Sequence, residues 1–286
     1  MISKLKFIFR KLIGAKEKEG IVDALIRKRI KVEKKFYRKN ISKIELKDTL
    51  IKMGIKKGDN IMVHASWRQF YNFLGKPQDV IKILKDIIGP EGMLLMPSYG
   101  SDRLYFDVEN TPSSAGVLSE VFRLGKNTYR SACTHFSVCA YGKNASEIIE
   151  EHFFSEYGFD NRSPYYKFTK LENSKVLFMG LGKEPTKISL FHCAGYLLKD
   201  KIDYFSEVLS KEYTSVLIIN NKKYKKDMII RTKGHKNNNK VFKKIFRNIK
   251  TRKHIKLSNL DLVWIDAREG LNKAIEFAEE GIYCYK

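Results

Sequence analysis

The chain has 286 residues and a formal net charge of +23. Its apolar content suffices for one large packed domain, and the charge favours anionic partners such as phosphates, nucleotide cofactors, nucleic acid or an anionic membrane surface without selecting a fold. No run approaches the roughly 20 apolar residues that cross a bilayer, and no secretory signal is evident, because Lys4, Lys6, Arg10 and Lys11 interrupt the first apolar stretch. Cys133, Cys139, Cys193 and Cys284 form no CxxC pair and no zinc-type Cys/His spacing, so reduced thiols in a cytoplasmic protein are expected.

Residues 1–40 read as a basic N-terminal extension. Within residues 1–16, Leu5, Ile8, Phe9, Leu12 and Ile13 fall near one helical stripe, with Phe7 off the pattern. That stripe suits a helix lying on anionic lipid, at the inner face of the membrane, or an ordinary helix packed on the protein. Residues 41–286 read as a single domain with a basic insertion at 231–256. Ile44–Met53 reads as a helix, Asn60–His64 as a buried strand, and Gln78–Ile88 as a helix with Pro77 at its start and Gly89-Pro90 beyond its end. A second buried strand is expected at Met93–Met96, a helix at Gly116–Arg123 and a third strand at Lys175–Leu181. Short apolar strands alternating with helices imply an α/β protein, a central mixed sheet covered by helices. Tyr213–Ile219 and Lys223–Ile230 form a smaller β-rich C-terminal part around an Asn220-Asn221 turn. Residues 231–256 hold many Lys and Arg and no acid, and read as a solvated loop or basic helix outside the core. Phe242 and Phe246 there suit base stacking, but no nucleic-acid motif accompanies them, so nucleic acid is not the expected partner. A strand at LDLVWIDA and a closing helix at GLNKAIEFAEEG complete the chain.

Chemistry-bearing residues cluster in short motifs. His64 and Ser66 follow the first strand, where open α/β sheets bind ligands; they are ligand contacts or loop caps. Ser113, Ser114 and Gly116 precede a helix, as an N-cap or as an anion-accepting turn. Arg130, Ser131, His135 and Ser137 form the densest polar cluster, with Cys133 and Cys139 beside it as inert thiols or one half of a Cys/His pair. His192 lies among Ile188, Leu190, Phe191 and Leu197, either as a core histidine or as a partly buried general base held neutral. Neither GxxxxGK[ST] nor GxGxxG occurs.

In register, VHASW (Val63–Trp67), GPEGMLLMPSY (Gly89–Tyr99), TPSSAGVLSE (Thr111–Glu120), RSACTHFS (Arg130–Ser137), SPYYK, KVLFMGLG, SLFH and WIDARE resemble the aminoglycoside 3-N-acetyltransferase family from about residue 45 onward. The resemblance implies an antibiotic N-acetyltransferase-like fold, not the common acetyltransferase fold, with no metal. It implies acetyl-CoA as donor, an amino sugar as acceptor, and His192 as the catalytic histidine. His64, Ser66, Ser113, Ser114, Gly116 and Ser137 would lie along the coenzyme cleft, and Tyr99, Asp107 and His135 on the acceptor side. Two positions depart from the pattern. Gly195 stands where a glutamate is common, which leaves Asp107 and Glu120 as candidates to orient His192, and Cys133-Thr134 stand where a His-Pro pair is usual. A polycationic drug suits a +23 protein poorly. The expected acceptor is therefore a nucleotide- or lipid-linked amino sugar of surface-glycan synthesis, with drug acetylation and a non-catalytic coenzyme- or sugar-binding role as the alternatives.

Overall fold

The structure is a computed structural model that describes residues 10–17 and 19–286. Helix α1 (Ile21–Phe36) and helix α2 (Lys43–Lys52) lead into strand β1 (Asn60–Ala65). α2 starts where Ser42 accepts from the Glu45 N–H and Glu45 accepts from the Ser42 N–H, a reciprocal capping box. Helix α3 (Pro77–Ile88) has proline in its first turn and stops at Gly89, whose φ of 66° ends the helical path. There follow β2 (Met93–Pro97), β3 (Tyr105–Asp107), α4 (Val117–Arg123), β4 (Tyr129–Arg130), β5 (Val138–Gly142), α5 (Ala145–Glu150), α6 (Pro164–Phe168) and β6 (Ser174–Met179). The last third holds α7 (Phe191–Leu197), α8 (Asp203–Val208), β7 (Lys211–Ile219), β8 (Lys222–Ile230), α9 (Asn239–Arg247), β9 (Lys253–Leu257), β10 (Leu260–Asp266) and α10 (Ala267–Glu279).

A seven-stranded sheet runs in the order β4-β5-β2-β1-β6-β10-β9. β1 pairs parallel with β2 and β6, while β5 and β10 join antiparallel. The centre is thus parallel and the flanks antiparallel, the mixed sheet expected. Side-chain alternation splits its residues between two apolar layers. Ile61, Val63, Leu94, Met96, Leu177 and Met179 share one layer with α2, α3 and α4. Met62, Met93, Leu95, Val176 and Phe178 share the other with α7, α9 and α10. Each aliphatic side chain so covered contributes roughly 1.5–3 kcal/mol, and both faces of the central strands are used, so they read as unbroken apolar runs.

The second sheet has the order β3-β7-β8. Its β7–β8 hairpin turns at Asn220 and Asn221, both at positive φ (48° and 63°), as that dipeptide suggests. It is not purely C-terminal: β3, from the first half of the chain, adds parallel to β7.

The basic stretch 231–256 contains a helix, one of the two forms expected, but that helix is not outside the core. α9 occupies its middle and buries Phe242, Ile245 and Phe246 in the main core, leaving its lysines outward. Its apolar side chains recur at helical spacing, which the density of positive charge conceals. The buried phenylalanines have no free face for a nucleobase. Of the amphipathic stripe expected near the N-terminus, Leu5, Ile8 and Phe9 lie outside the described residues; Leu12 is exposed and Ile13 buried. Among the described residues no helix is long and apolar enough to cross a membrane.

Candidate active site

Three parallel strands, β1, β2 and β6, end at Ala65, Pro97 and Met179, and the loops that follow them gather at one end of the sheet. The Ser66 N–H donates to the Met179 carbonyl, and the turn at Gly180 packs against Ser66 and Gln69. From β6 the chain passes through residues 180–190 into α7, whose first turn carries His192.

His192 lines a cavity of about 380 Å³ together with His135, Phe136, Tyr157, Phe159 and Tyr285. The imidazole lies parallel to the Tyr285 ring, with centroids 5.5 Å apart, and packs against Phe159 and Phe242. Its Nδ1 is 2.9 Å from the Tyr285 hydroxyl, which in turn is 3.5 Å from the Tyr157 hydroxyl. Nε2 is left for the cavity. Burial first, and then the Arg231 cation, hold the imidazole pKa down at about 3, so the ring is neutral at physiological pH.

The C-terminal segment that carries Tyr285 is fixed from the side. Lys286 exchanges both backbone hydrogen bonds with Lys236, and the Asn238 N–H donates to the Cys284 carbonyl. Residues 236–238 of the basic stretch are therefore the strap that seats Tyr285 on His192. Its phenol takes the Nδ1 position for which an orienting carboxylate was expected. The Asp107 carboxylate accepts from the Glu109 and Asn110 amides, closing a turn after β3. Glu120 accepts from the Ser113 N–H and pairs with Arg123. Both acids are consumed locally, and neither lines the cavity with His192. At Gly195 a Cβ would already stand 3.2 Å from Phe205 and 3.4 Å from Tyr285, so this chain has filled the space of a longer side chain there with aromatic rings.

His135 joins His192 in the cavity wall. It stacks on Phe136 at 4.2 Å, its Nδ1 has no partner, and burial lowers its pKa to about 3. Tyr99 packs edge-on against Phe136 behind that wall, and its backbone carbonyl takes the Ser114 N–H and hydroxyl. Thus Ser114 tethers the loop after β2. Gly116, not a serine, is the N-cap of α4, at φ 130°; Ser113 folds its hydroxyl back onto the Ala115 N–H. His64 sits at the end of β1 on the same sheet face as Phe178, against which it stacks. Burial, then Lys187, lower its pKa to about 4, and its Nε2 has no partner.

Ser137 is brought to neither group. It is fully buried and its hydroxyl donates to the Ser131 carbonyl, while Ser131 Oγ meets His152 Nδ1 at 2.8 Å. Arg130 is likewise structural, spending its guanidinium on the carbonyls of Ser98, Val108 and Thr111. The Cys133 and Cys139 thiols are pushed up to about 11 by burial, so neither is an activated nucleophile. Among the described residues no group of His, Cys, Asp and Glu is placed to hold a metal. Reading the sequence missed Tyr285, Tyr157, Phe159, Arg103 and Arg231. The strap brings Tyr285 to His192, the others come from segments distant in sequence, and no spacing in the chain marks them.

A family model described as aminoglycoside 3-N-acetyltransferase matches residues 62–279. Aminoglycoside N(3)-acetyltransferase III of Pseudomonas aeruginosa is 27% identical over 176 residues, covering 54% of this chain and 63% of that protein. Aminoglycoside N(3)-acetyltransferase IV of a Salmonella species is 35% identical over 112 residues, 38% of this chain and 42% of that protein. The chain thus spans less than two thirds of these curated relatives. Among solved structures, AAC-IIIb as its binary complex with CoASH superposes with a TM-score of 0.70 at 20% identity, over 85% of this chain and 98% of that one. AAC(3)-Xa superposes with a TM-score of 0.73 at 17% identity, over 90% of this chain and 99% of that one. At these identities the superpositions establish a shared fold.

Proposed function

The chain belongs to the aminoglycoside 3-N-acetyltransferase family, and from that premise we propose that it transfers acetyl from acetyl-CoA to the amine of an amino sugar, with His192 as general base. The observation that carries this reading is the environment of His192. One ring nitrogen is fixed by Tyr285, the other is left for a cavity, and the ring is neutral. An acceptor amine becomes nucleophilic only without its proton, and a positioned base contributes roughly 10²–10⁴-fold to such a step.

The tautomer follows from the hydrogen-bond chain. For Nε2 to accept a proton, Nδ1 must carry one and donate it to the Tyr285 oxygen; Tyr285 then donates onward to Tyr157. As the amine attacks the thioester carbonyl, the N–C bond forms, the amine grows acidic, and its proton moves to Nε2. The C–S bond then breaks and the imidazolium returns that proton to the departing thiolate. His64 and the loops bearing Ser66, Ser114 and Gly116 at the strand ends offer the coenzyme a separate approach, since none of them lines the His192 cavity.

Both an aminoglycoside, which the relatives' names give, and an amino sugar of surface-glycan synthesis fall within this acceptor class. Thiol release from acetyl-CoA, followed with a panel of aminoglycosides, free amino sugars and sugar phosphates, tests the reading. Turnover with at least one amine, lost in His192→Gln while coenzyme binding by calorimetry persists, is the expected result. Coenzyme binding without transfer to any amine would leave a non-catalytic binding protein instead.

A further inference from the structure

We propose that the cavity beside His192 selects an amino sugar that carries a phosphate and disfavours polycationic amines. The inference rests on acetyl transfer at His192 and names the acceptor class for that site. Its ground is the charge of the cavity wall. Arg103, Arg231, Lys233 and His235 line it, and no aspartate or glutamate does.

The two arginines are placed by the smaller sheet. Arg103 lies two residues before β3 and Arg231 immediately follows β8, and these are the outer strands on either side of β7. By register both leave the sheet toward the end where β7 begins. Both act electrostatically on the same imidazole, His135, and Arg231 acts on His192 as well. Two guanidiniums therefore converge on the space above the proposed base.

Among the described residues these guanidiniums have no carboxylate partner. Arg231 donates to the uncharged Asn237 side chain and lies over the Tyr285 ring. No ion pair of Arg103, Arg231 or Lys233 occurs among the described residues. Asp102, beside Arg103 in the chain, accepts from the Leu104 N–H, and Asp227, the acid nearest Arg231 in sequence, accepts from the Thr214 hydroxyl. The carboxylates beside the lining residues Tyr157 and Phe159 are engaged as well. Glu156 accepts from the Tyr196 hydroxyl, and buried Asp160 accepts from Ser155 and from the amides of Glu156, Tyr157 and Arg162. A phosphate placed there gains forked, charge-assisted hydrogen bonds from arginine. A polyamine meets the positive charge of Arg103, Arg231 and Lys233 and no lining carboxylate to receive its ammonium groups. Aromatic rings of Phe136, Phe159 and Tyr285 supply flat walls for a sugar ring between the arginines and the base.

Coenzyme A also bears phosphates, so the test separates the two anions. Steady-state kinetics on the full chain compare glucosamine, glucosamine 1-phosphate, UDP-glucosamine and kanamycin as acceptors, in the parent and in Arg103→Gln, whose exposed site spares the fold. The expected result is a higher kcat/KM for a phosphorylated sugar than for glucosamine or kanamycin. Arg103→Gln reduces that advantage about tenfold, the weight of one charge-assisted hydrogen bond, with the KM for acetyl-CoA unchanged. Either phosphorylated sugar supports the proposal, and the faster one tells monoester from nucleotide. Kanamycin as the best acceptor overturns it. So does a rise in the acetyl-CoA KM with acceptor KM unmoved, which assigns the cations to the coenzyme. If no amine is acetylated, the transfer reading fails while calorimetry still decides this one. Glucosamine 1-phosphate binding more tightly than glucosamine, and more weakly in Arg103→Gln, sustains the charge preference; equal or absent binding removes it.

Discussion

The Tyr285 hydroxyl meets His192 Nδ1 at 2.9 Å, and the edge of the same tyrosine ring lies 3.4 Å from where a side chain on Gly195 would begin. One residue thus orients the imidazole and occupies the space a side chain at 195 would need. A neutral phenol fixes a tautomer without stabilising an imidazolium as a carboxylate does. The transfer proposed at His192 would therefore depend on hydrogen-bond direction more than on charge.

Tyr285→Phe keeps the ring and removes the hydroxyl. Imidazole orientation is lost and Nδ1 is left buried without a partner, costing about 1–3 kcal/mol of stability. We expect kcat to fall roughly 10–100-fold with the KM for acetyl-CoA little changed. Chemical denaturation and initial-rate kinetics on one preparation check both. A kcat equal to the parent's would show that the phenol does not position the base.

Gly195→Glu looks like a restoration by sequence but is an intrusion by packing. The new Cβ meets Phe205 at 3.2 Å and Tyr285 at 3.4 Å, inside a fully buried layer. Overpacking of this kind costs roughly 1–3 kcal/mol, and its relief moves Tyr285 off His192. The expected variant is less stable and slower. A gain in activity at unchanged melting temperature would contradict it.

Acid should weaken the fold well before its carboxylates titrate. Burial depresses His64 to about 4 and His135, His152 and His192 to about 3, against an ordinary 6.5. Between those values the unfolded chain binds protons that the folded chain does not, so stability rises with pH across that window and falls as pH drops below 6.5. Lowered carboxylates such as Glu45 add their own loss only below about pH 4.5. The interval from pH 6.5 to 5 therefore reports imidazoles. Urea midpoints should fall across it, and His152→Gln should flatten the slope by up to about 1.4 kcal/mol per pH unit. A midpoint constant from pH 7 to 5 would mean these rings are solvated.

The scaffold was legible because its signals are local. Proline at 77 and glycine at 89 bracket α3, and the short apolar runs at 61–63 and 93–96, set among turn residues, suit strands covered on both faces. The SLFH motif singled out His192, and the structure places that residue in the cavity wall. Its partner was not legible, because the bond spans 93 residues and depends on a backbone bridge between 237 and 285. β5 went unread: Val138–Gly142 mixes cysteine, alanine and glycine, which carry little strand preference, and its pairing with β2 decides the matter. Charge misled at 231–256, where lysines surround an apolar stripe that the core accepts.

Gly116 lies at the strand ends, away from the His192 cavity. Its φ of 130° and ψ of 170° belong to a backbone region reserved almost entirely for glycine, while the nearest atom to an added Cβ, the Ala65 carbonyl oxygen at 4.0 Å, leaves room for a methyl group. The cost of Gly116→Ala is therefore backbone strain and not collision, of order 1–3 kcal/mol. A relaxed loop changes how α4 begins and how Ser114 reaches the Tyr99 carbonyl at the strand ends. If the coenzyme enters there, its KM rises several-fold while the acceptor KM, set in the His192 cavity, holds. Thermal unfolding measures the first effect, and paired KM values measure the second. A lowered melting temperature with both KM values intact would confine Gly116 to a folding role and move the coenzyme elsewhere.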